Sequence, residues 1–110
     1  MRDHRSMIES AEQFVWLRRS DLKEEYDRAT EEEAPVDVWR EVIEEYPEMR
    51  GWVAHNKTVP AEILGLLAED EDPAVRLRVA MKRQLPIEVA ALLADDPDED
   101  VREAIRRRTQ

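Results

Sequence analysis

Apolar residues in this chain form short clusters separated by prolines and by runs of acidic residues. The cluster from Ile63 to Leu67 follows Pro60 and ends at an acidic run, residues 69–72, and Val75 opens the next cluster. Proline favours the start of a helix and acidic residues favour turns and first turns, so the pattern predicts short helices joined by acidic turns. Helices of about nine residues are unstable alone, so each must bury its apolar edge against its neighbours.

The pattern repeats along the chain with a period of 26 residues. Three blocks align at this shift: 49–54, 75–80 and 101–106. Two blocks that open with proline align at the same shift: 60–68 and 86–94. A weaker copy begins at Pro35, displaced by 25 residues from Pro60. Each unit therefore reads as a short helix, an acidic turn and a second helix that starts near Met49, Val75 or Val101.

The order Pro-x-Glu-Ile or Pro-x-Glu-Val, then Leu-Leu-Ala, Asp-Pro and Val-Arg, resembles the leucine-rich repeat variant family within the HEAT and armadillo class. The resemblance covers residues 35–110 and implies an all-α fold. That fold is a short right-handed α-α superhelix, an α-solenoid, with about three two-helix repeats over residues 34–110. The period is slightly longer than the family's, the repeats are few, and the cysteine cluster of some members is missing, so no iron–sulfur role is carried over.

Residues 1–33 do not follow the period and are predicted to form a helical cap of two helices, within a single compact domain overall. Ser10 with Gln13, and Asp21 with Glu24, resemble capping boxes. The end of a helical stack exposes apolar surface unless something covers it. Three aromatic residues are expected to cover it: Phe14, Trp16 and Tyr26. The other end lacks such a cap, which leaves either a polar arginine-rich last helix or a homodimer.

Composition narrows the class of protein without changing the fold. A chain of 110 residues makes one domain, its 42% hydrophobic share suffices for a core, and only two glycines occur. Because cysteine is absent, disulfides and thiolate chemistry are excluded, and the composition fits a reducing cytosol. Neither a signal peptide nor an apolar run of membrane-spanning length is visible, so no membrane association is expected. A net charge of -10 opposes nonspecific attraction to nucleic acid.

Candidates for catalysis are few, and we expect no enzyme activity, no cofactor and no metal. His4 lies in the terminus, and a lone His55 on a repeat helix is more typical of a surface or packing residue. Asp96, Asp98 and Asp100 imitate the start of a calcium loop, but Val101 replaces its glycine and Arg107 its bidentate glutamate. This segment is predicted to be an acidic turn that caps the next helix.

Arginine residues divide into a structural set and a candidate binding set. An acid stands six residues before each of Arg50, Arg76 and Arg102. In HEAT-like stacks an aspartate-to-arginine ladder with this spacing ties turns to second helices, so the resemblance implies a structural role for these three arginines.

The second-helix segments, 49–57, 75–83 and 101–110, hold ten basic residues against one acid, whereas residues 20–48 hold twelve acids against three bases. In similar solenoids the second helices line the concave face, which implies a basic groove. The residues predicted to contact a partner are Trp52, His55, Lys57, Arg78, Lys82, Arg83, Arg107 and Arg108. An alternative stays open, in which these bases only balance the acidic turns. Trp52 is either a core residue or an interface anchor.

The favoured function is a protein-binding module in a bacterial cytosol, an adaptor or an inhibitor. It would recognise an acidic segment with the groove or a basic protein with the acidic cap. Binding of the nucleic-acid phosphate backbone by the same basic face is the alternative, which the acidic balance disfavours. A small-molecule or metal-dependent enzyme is the third hypothesis, for which no set of residues is visible.

Overall fold

A computed structural model describes residues 7–108, and within them the regular structure is helical. Its eight α-helices are α1 Ala11–Arg19, α2 Lys23–Glu31, α3 Val36–Glu45, α4 Arg50–His55, α5 Ala61–Leu67, α6 Pro73–Ala80, α7 Ile87–Leu93 and α8 Glu99–Arg108. A 3-10 turn, Pro47–Met49, precedes α4. Between residues 7 and 108 the β-structure amounts to one isolated bridge, from Met7 to Glu33. The predicted all-α class is confirmed.

Contacts between Cα atoms divide the chain into two compact units that meet at Val59 and Pro60. The N-terminal unit contains α1 to α4, and the C-terminal unit contains α5 to α8. The boundary predicted at residues 33 and 34, between a cap and the repeats, lies inside the N-terminal unit between α2 and α3 and stays a prediction.

Prolines mark the helix starts in two different ways. Pro60 and Pro86 stand directly before α5 and α7, and their carbonyl oxygens accept the first helical hydrogen bonds. Pro73 instead occupies the first position of α6, where its missing N–H costs nothing, and the Asp72 carboxylate caps this helix at the N–H of Ala74 (2.9 Å). Pro60 and Pro86, predicted to lie in the first turn, each stand one residue before it, whereas Pro73, predicted to end the acidic turn, is the first residue of α6.

The helices of the C-terminal unit follow the 26-residue period of the sequence. Both ends of α7 lie 26 positions after the ends of α5, and α8 begins 26 positions after α6. The two first helices, α5 and α7, contact each other, and so do the two second helices, α6 and α8. Equivalent apolar residues therefore become neighbours in one core; these are Ile63, Leu67, Val75, Val79, Val89, Leu93, Val101 and Ile105.

The core of the N-terminal unit is built around an aromatic pair. Phe14 of α1 and Trp39 of α3 are fully buried and meet edge to face, with ring centroids 5.2 Å apart. Trp16 is 58% exposed, because it lies two residues from Phe14 and therefore on another side of α1. Of the three aromatic residues expected to cover apolar surface, only Phe14 enters the core; Tyr26 is 39% exposed.

One of the two predicted capping boxes is correct. Ser10 caps α1 by accepting the N–H of Gln13 (3.0 Å), and the Gln13 side chain accepts the N–H of Glu9 (2.7 Å). The box predicted for Asp21 and Glu24 is wrong. Helix α2 begins at Lys23, one residue later than that box requires, and its N-cap residue Leu22 has no side-chain cap.

Asn56 links the end of α4 to the end of α2 in the interior of the N-terminal unit. It is fully buried at the end of α4, and its Nδ2 donates to the carbonyl oxygens of Ala29 (2.8 Å) and Glu32 (3.0 Å) at the end of α2. Its Oδ1 accepts the N–H of Thr58 (2.7 Å). A short amide side chain thus satisfies backbone groups of two segments, which fixes the end of α4 against α2.

Candidate protein-binding surface

Two long-range contacts show that α6 and α8 run parallel. Arg76, near the start of α6, pairs with Asp96, just before the start of α8 (2.8 Å). Arg108, at the end of α8, donates to the carbonyl oxygen of Ala80, at the end of α6 (3.3 Å). The amino ends of the two second helices therefore lie together, and so do their carboxyl ends. Parallel neighbours add their dipoles, so one end favours acids and the other favours bases.

At the amino ends, Arg76 and Asp96 form a bidentate ion pair. Arg76 Nε and Nη2 donate to Asp96 Oδ2 (2.8 Å) and Oδ1 (3.1 Å), and only 12% and 4% of the two side chains are exposed. Burial alone would raise the pKa of Asp96, but hydrogen bonds from Arg76 and from the N–H of Asp98 outweigh it, and the pKa lies below its usual value. Asp96 is therefore held as a carboxylate.

The arginines assigned a structural role do tie the turns to the second helices, through backbone oxygens. Arg76 Nη1 donates to the carbonyl of Asp70, six residues earlier (2.7 Å), and Arg102 Nη1 does the same to Asp96 (2.7 Å). Arg50 Nε reaches Ile43, seven residues earlier (2.8 Å). The predicted spacing between turn and helix is thus correct for Arg76 and Arg102, with a carbonyl as the acceptor instead of the carboxylate.

The acidic turn before α8 caps that helix, as predicted. Asp96 Oδ1 accepts the N–H of Asp98 (2.9 Å), and Asp98 Oδ1 accepts the N–H groups of Asp100 (2.8 Å) and Val101 (3.3 Å). These carboxylates accept hydrogen bonds from backbone N–H groups at the start of α8, where negative charge is favourable. Within residues 7–108, no group of three or more histidine, cysteine, aspartate or glutamate side chains is placed to hold a metal ion.

The carboxyl ends of α6 and α8 are rich in basic side chains. We call this cluster the basic end; it comprises Arg78, Lys82, Arg83, Arg106, Arg107 and Arg108. The Arg108 guanidinium donates to the carbonyl oxygens of Ala80 (3.3 Å), Lys82 and Arg83 (3.2 Å), which caps the end of α6 with a positive charge. Burial lowers the pKa of Lys82.

The outer members of the basic end are Arg83 and Arg107. Both are exposed. Arg107 Nε lies 3.1 Å from Glu103, which also pairs with Arg106. Glu103 is the only acid in the second-helix segment from 101 to 110, so the charge of this end stays positive.

The eight residues predicted to contact a partner fall in both units. Five belong to the basic end: Arg78, Lys82, Arg83, Arg107 and Arg108. The remaining three, Trp52, His55 and Lys57, lie at or after the end of α4 in the N-terminal unit. Lys57 is exposed and forms a loose ion pair with Glu31 (3.6 Å). Within the first group Arg108 donates to the backbone of Lys82 and Arg83, and within the second the rings of Trp52 and His55 are in contact.

The sequence left open whether Trp52 is a core residue or an exposed interface anchor, and in the structure it is half-buried. Its ring meets His55 edge to face, with centroids 5.6 Å apart. The guanidinium carbon of Arg18 lies 3.6 Å from the Trp52 centroid and 4.4 Å from the Tyr26 centroid. Sequence reasoning missed Arg18, because the three stacked residues come from α1, α2 and α4 and share no motif.

Each helix within residues 7–108 falls short of the length and apolar character needed to cross a bilayer. No protein-family model matches the chain, and no curated protein or solved structure is significantly similar to it.

Proposed function

We propose that this protein is a non-catalytic helical-repeat binding module that recognises an acidic segment of a protein partner. Its architecture is a short right-handed α-α superhelix of the HEAT and leucine-rich repeat variant kind. The observation that carries the proposal is the basic end: parallel packing of α6 and α8 brings their carboxyl ends together, and these ends hold six cations. A cluster of this kind attracts acidic ligands and orients them as they approach.

The repeat architecture rests on the C-terminal unit. Helix boundaries there recur after 26 residues, and like helices contact like helices, which is how a solenoid buries the apolar edges of short helices. The Arg76–Asp96 pair adds a turn-to-helix tie between successive repeats. A module built in this way offers an extended row of second helices, which suits an adaptor or an inhibitor.

The basic end exceeds what balancing the helix dipoles requires. Arg108 by its side chain bonds the carbonyl oxygens of Ala80, Lys82 and Arg83 at the end of α6. The Arg83 side chain is exposed and enters no ion pair with residues 7–108. An exposed arginine costs little in stability when it is removed, whereas at an interface a planar, weakly hydrated guanidinium is a preferred contact for carboxylates.

A protein partner is favoured over nucleic acid because of the negative charge on the rest of the chain. The chain carries a net charge of -10, and its acids include the turns at 69–72 and 95–100. A nucleic acid extends a dense line of phosphates past any cluster of six cations, and those acids would repel it. A short acidic peptide segment places its charge only where the cations are.

Binding of a fluorescein-labelled oligoglutamate peptide, measured by fluorescence anisotropy at about 50 mM salt, tests the proposal. We expect saturable binding by the full chain, weakened at least tenfold by the double variant Arg83→Glu/Arg107→Glu. The reversed charges would repel the peptide, and a tenfold loss corresponds to about 1.4 kcal/mol. Labelled oligolysine and duplex DNA are measured in parallel.

A matched control is the double variant Arg19→Glu/Lys23→Glu. Both of its residues are exposed cations paired with acids of the N-terminal unit, and the two double variants change the net charge equally. The control should bind oligoglutamate at least half as tightly as the original protein. Equal weakening by both variants, tighter binding of DNA than of oligoglutamate, or no binding of oligoglutamate would each overturn the proposed function.

A further inference from the structure

In the described part of the N-terminal unit, Arg18 is arranged differently from Lys23, Arg28 and Lys57. The Arg18 guanidinium contacts two aromatic rings, with its carbon 3.6 Å from the Trp52 centroid and 4.4 Å from that of Tyr26. Lys23, Arg28 and Lys57 each pair with a carboxylate, at 2.8, 2.6 and 3.6 Å. Arg18 forms no hydrogen bond or ion pair with residues 7–108, although residues 20–48 hold twelve acids.

The donors of Arg18 are only partly enclosed. Nε and Nη1 are buried and have no hydrogen-bond partner, whereas Nη2 is not among the buried nitrogens. Buried polar groups in native proteins are normally bonded, and an unbonded charged donor costs more than a neutral one. An arginine kept in this state by two aromatic rings has a reason other than the stability of the unit.

Contact with the Tyr26 and Trp52 rings holds the guanidinium in place and leaves Nη2 as the donor for a hydrogen bond to a ligand. A guanidinium held in this way has already lost its rotational freedom, so a ligand that bonds its edge gains a charge-assisted hydrogen bond at low entropic cost. Arginine, tryptophan and tyrosine are also the residues most enriched at the energetic centres of interfaces.

We propose that Arg18, held against the rings of Tyr26 and Trp52, is a carboxylate-binding point through which the N-terminal unit recognises an aspartate or glutamate of a protein partner. The inference rests on the proposed function, which states that the partner is acidic. It goes beyond that function by assigning a contact outside the basic end. Nη2 makes the first hydrogen bond to the carboxylate oxygen, and His55, which touches Trp52, supports the ring from the side.

A carboxylate fits this position better than a phosphate. Glu25 and Asp27 flank Tyr26 in α2, and Glu24 precedes them. A phosphate group carries close to two negative charges at neutral pH and is repelled by these acids about twice as strongly as a carboxylate. The neighbouring acids in α2 therefore favour a carboxylate, which carries one negative charge, over a phosphate.

Titration of the isotope-labelled full chain with acetyl-oligoglutamate, followed through the Arg18 Nε–Hε resonance, tests the assignment. This resonance is shifted by the Trp52 ring current and is therefore separable from those of the other arginines. We expect it to move saturably with the peptide, and the affinity to fall at least fivefold in Arg18→Lys, which keeps the charge but loses the planar edge. Arg19→Lys, at the exposed neighbouring position, is the matched control and should change the affinity less than twofold.

The outcomes separate this inference from the proposed function. If the peptide binds, depends on Arg83 and Arg107, and leaves the Arg18 resonance and the Arg18→Lys affinity unchanged, the Arg18 assignment is wrong and the proposed function stands. If inorganic phosphate moves the resonance at lower concentration than the peptide, the carboxylate assignment is overturned. If the original protein binds no oligoglutamate, both proposals fail together.

Discussion

Replacing Asp96 by alanine is expected to lower the free energy of unfolding by about 3–5 kcal/mol, because it leaves the buried guanidinium of Arg76 without its partner. The same change removes the acceptor for the N–H of Asp98. Total stability of a domain is about 5–15 kcal/mol, so the variant would be close to unfolding at room temperature. Urea unfolding followed by circular dichroism measures the loss.

Asp95→Ala is the control for this prediction, because Asp95 is the exposed neighbour of Asp96 and should change stability by less than about 0.5 kcal/mol. The double variant Arg76→Met/Asp96→Leu should be more stable than Asp96→Ala, since it leaves no unpaired buried charge. If Asp96→Ala is no less stable than Asp95→Ala, the pair does not hold α6 to the turn before α8.

The Asp96 effect should also depend on pH. Because the pKa of the folded-state carboxyl lies below its usual value, the pair contributes stability that is fully present above the unfolded pKa of about 3.9. That contribution is lost as the pH falls through the lower folded-state pKa. The difference in stability between the original protein and Asp96→Ala should therefore be largest at neutral pH and shrink below about pH 4.

Phe14→Ala is the second prediction with a large effect. Phe14 is fully buried against Trp39, so its removal leaves a cavity in the N-terminal unit and should cost about 3–5 kcal/mol in the free energy of unfolding. Urea unfolding followed by tryptophan fluorescence reports on this unit, because all three tryptophans lie within residues 1–59.

Trp16→Ala provides the comparison from the same helix. This larger aromatic side chain is 58% exposed, and its loss should cost less than about 1 kcal/mol. A ranking in which Trp16→Ala destabilises as much as Phe14→Ala would mean that the aromatic cap predicted from the sequence is correct and that the core described above is not.

Helices were predictable from the sequence where a repeated local signal defines them. The prolines at 60 and 86 and the period of 26 residues give the starts of α5 and α7 to within one residue, and α6 begins at Pro73, two residues before the predicted Val75. Where the period is absent, in residues 7–33, the prediction depended on capping motifs alone. The capping box at Ser10 correctly predicted the start of α1. The box at Asp21 did not predict the start of α2, because that helix begins only after a turn in which the Ser20 hydroxyl accepts the N–H of Leu22.

The candidate surface was predictable in charge but not in contacts. The basic second helices could be seen in the sequence, since like charges at equivalent repeat positions meet when the helices stack. The role of Arg108 as a cap for α6 could not be predicted from the sequence, because its acceptors are backbone oxygens 25–28 residues away. The Arg18 stack could not either, since it depends on how three helices pack and not on their spacing in the chain.

Backbone amide shifts of the isotope-labelled full chain, recorded during titration with unlabelled oligoglutamate, test most directly that the basic end is a binding surface. We predict the largest shifts at 78–83 and 104–108, with little change in the acidic turn at 95–100. Largest shifts in that acidic turn, or a spectrum unchanged by an excess of peptide, would contradict the assignment of this surface.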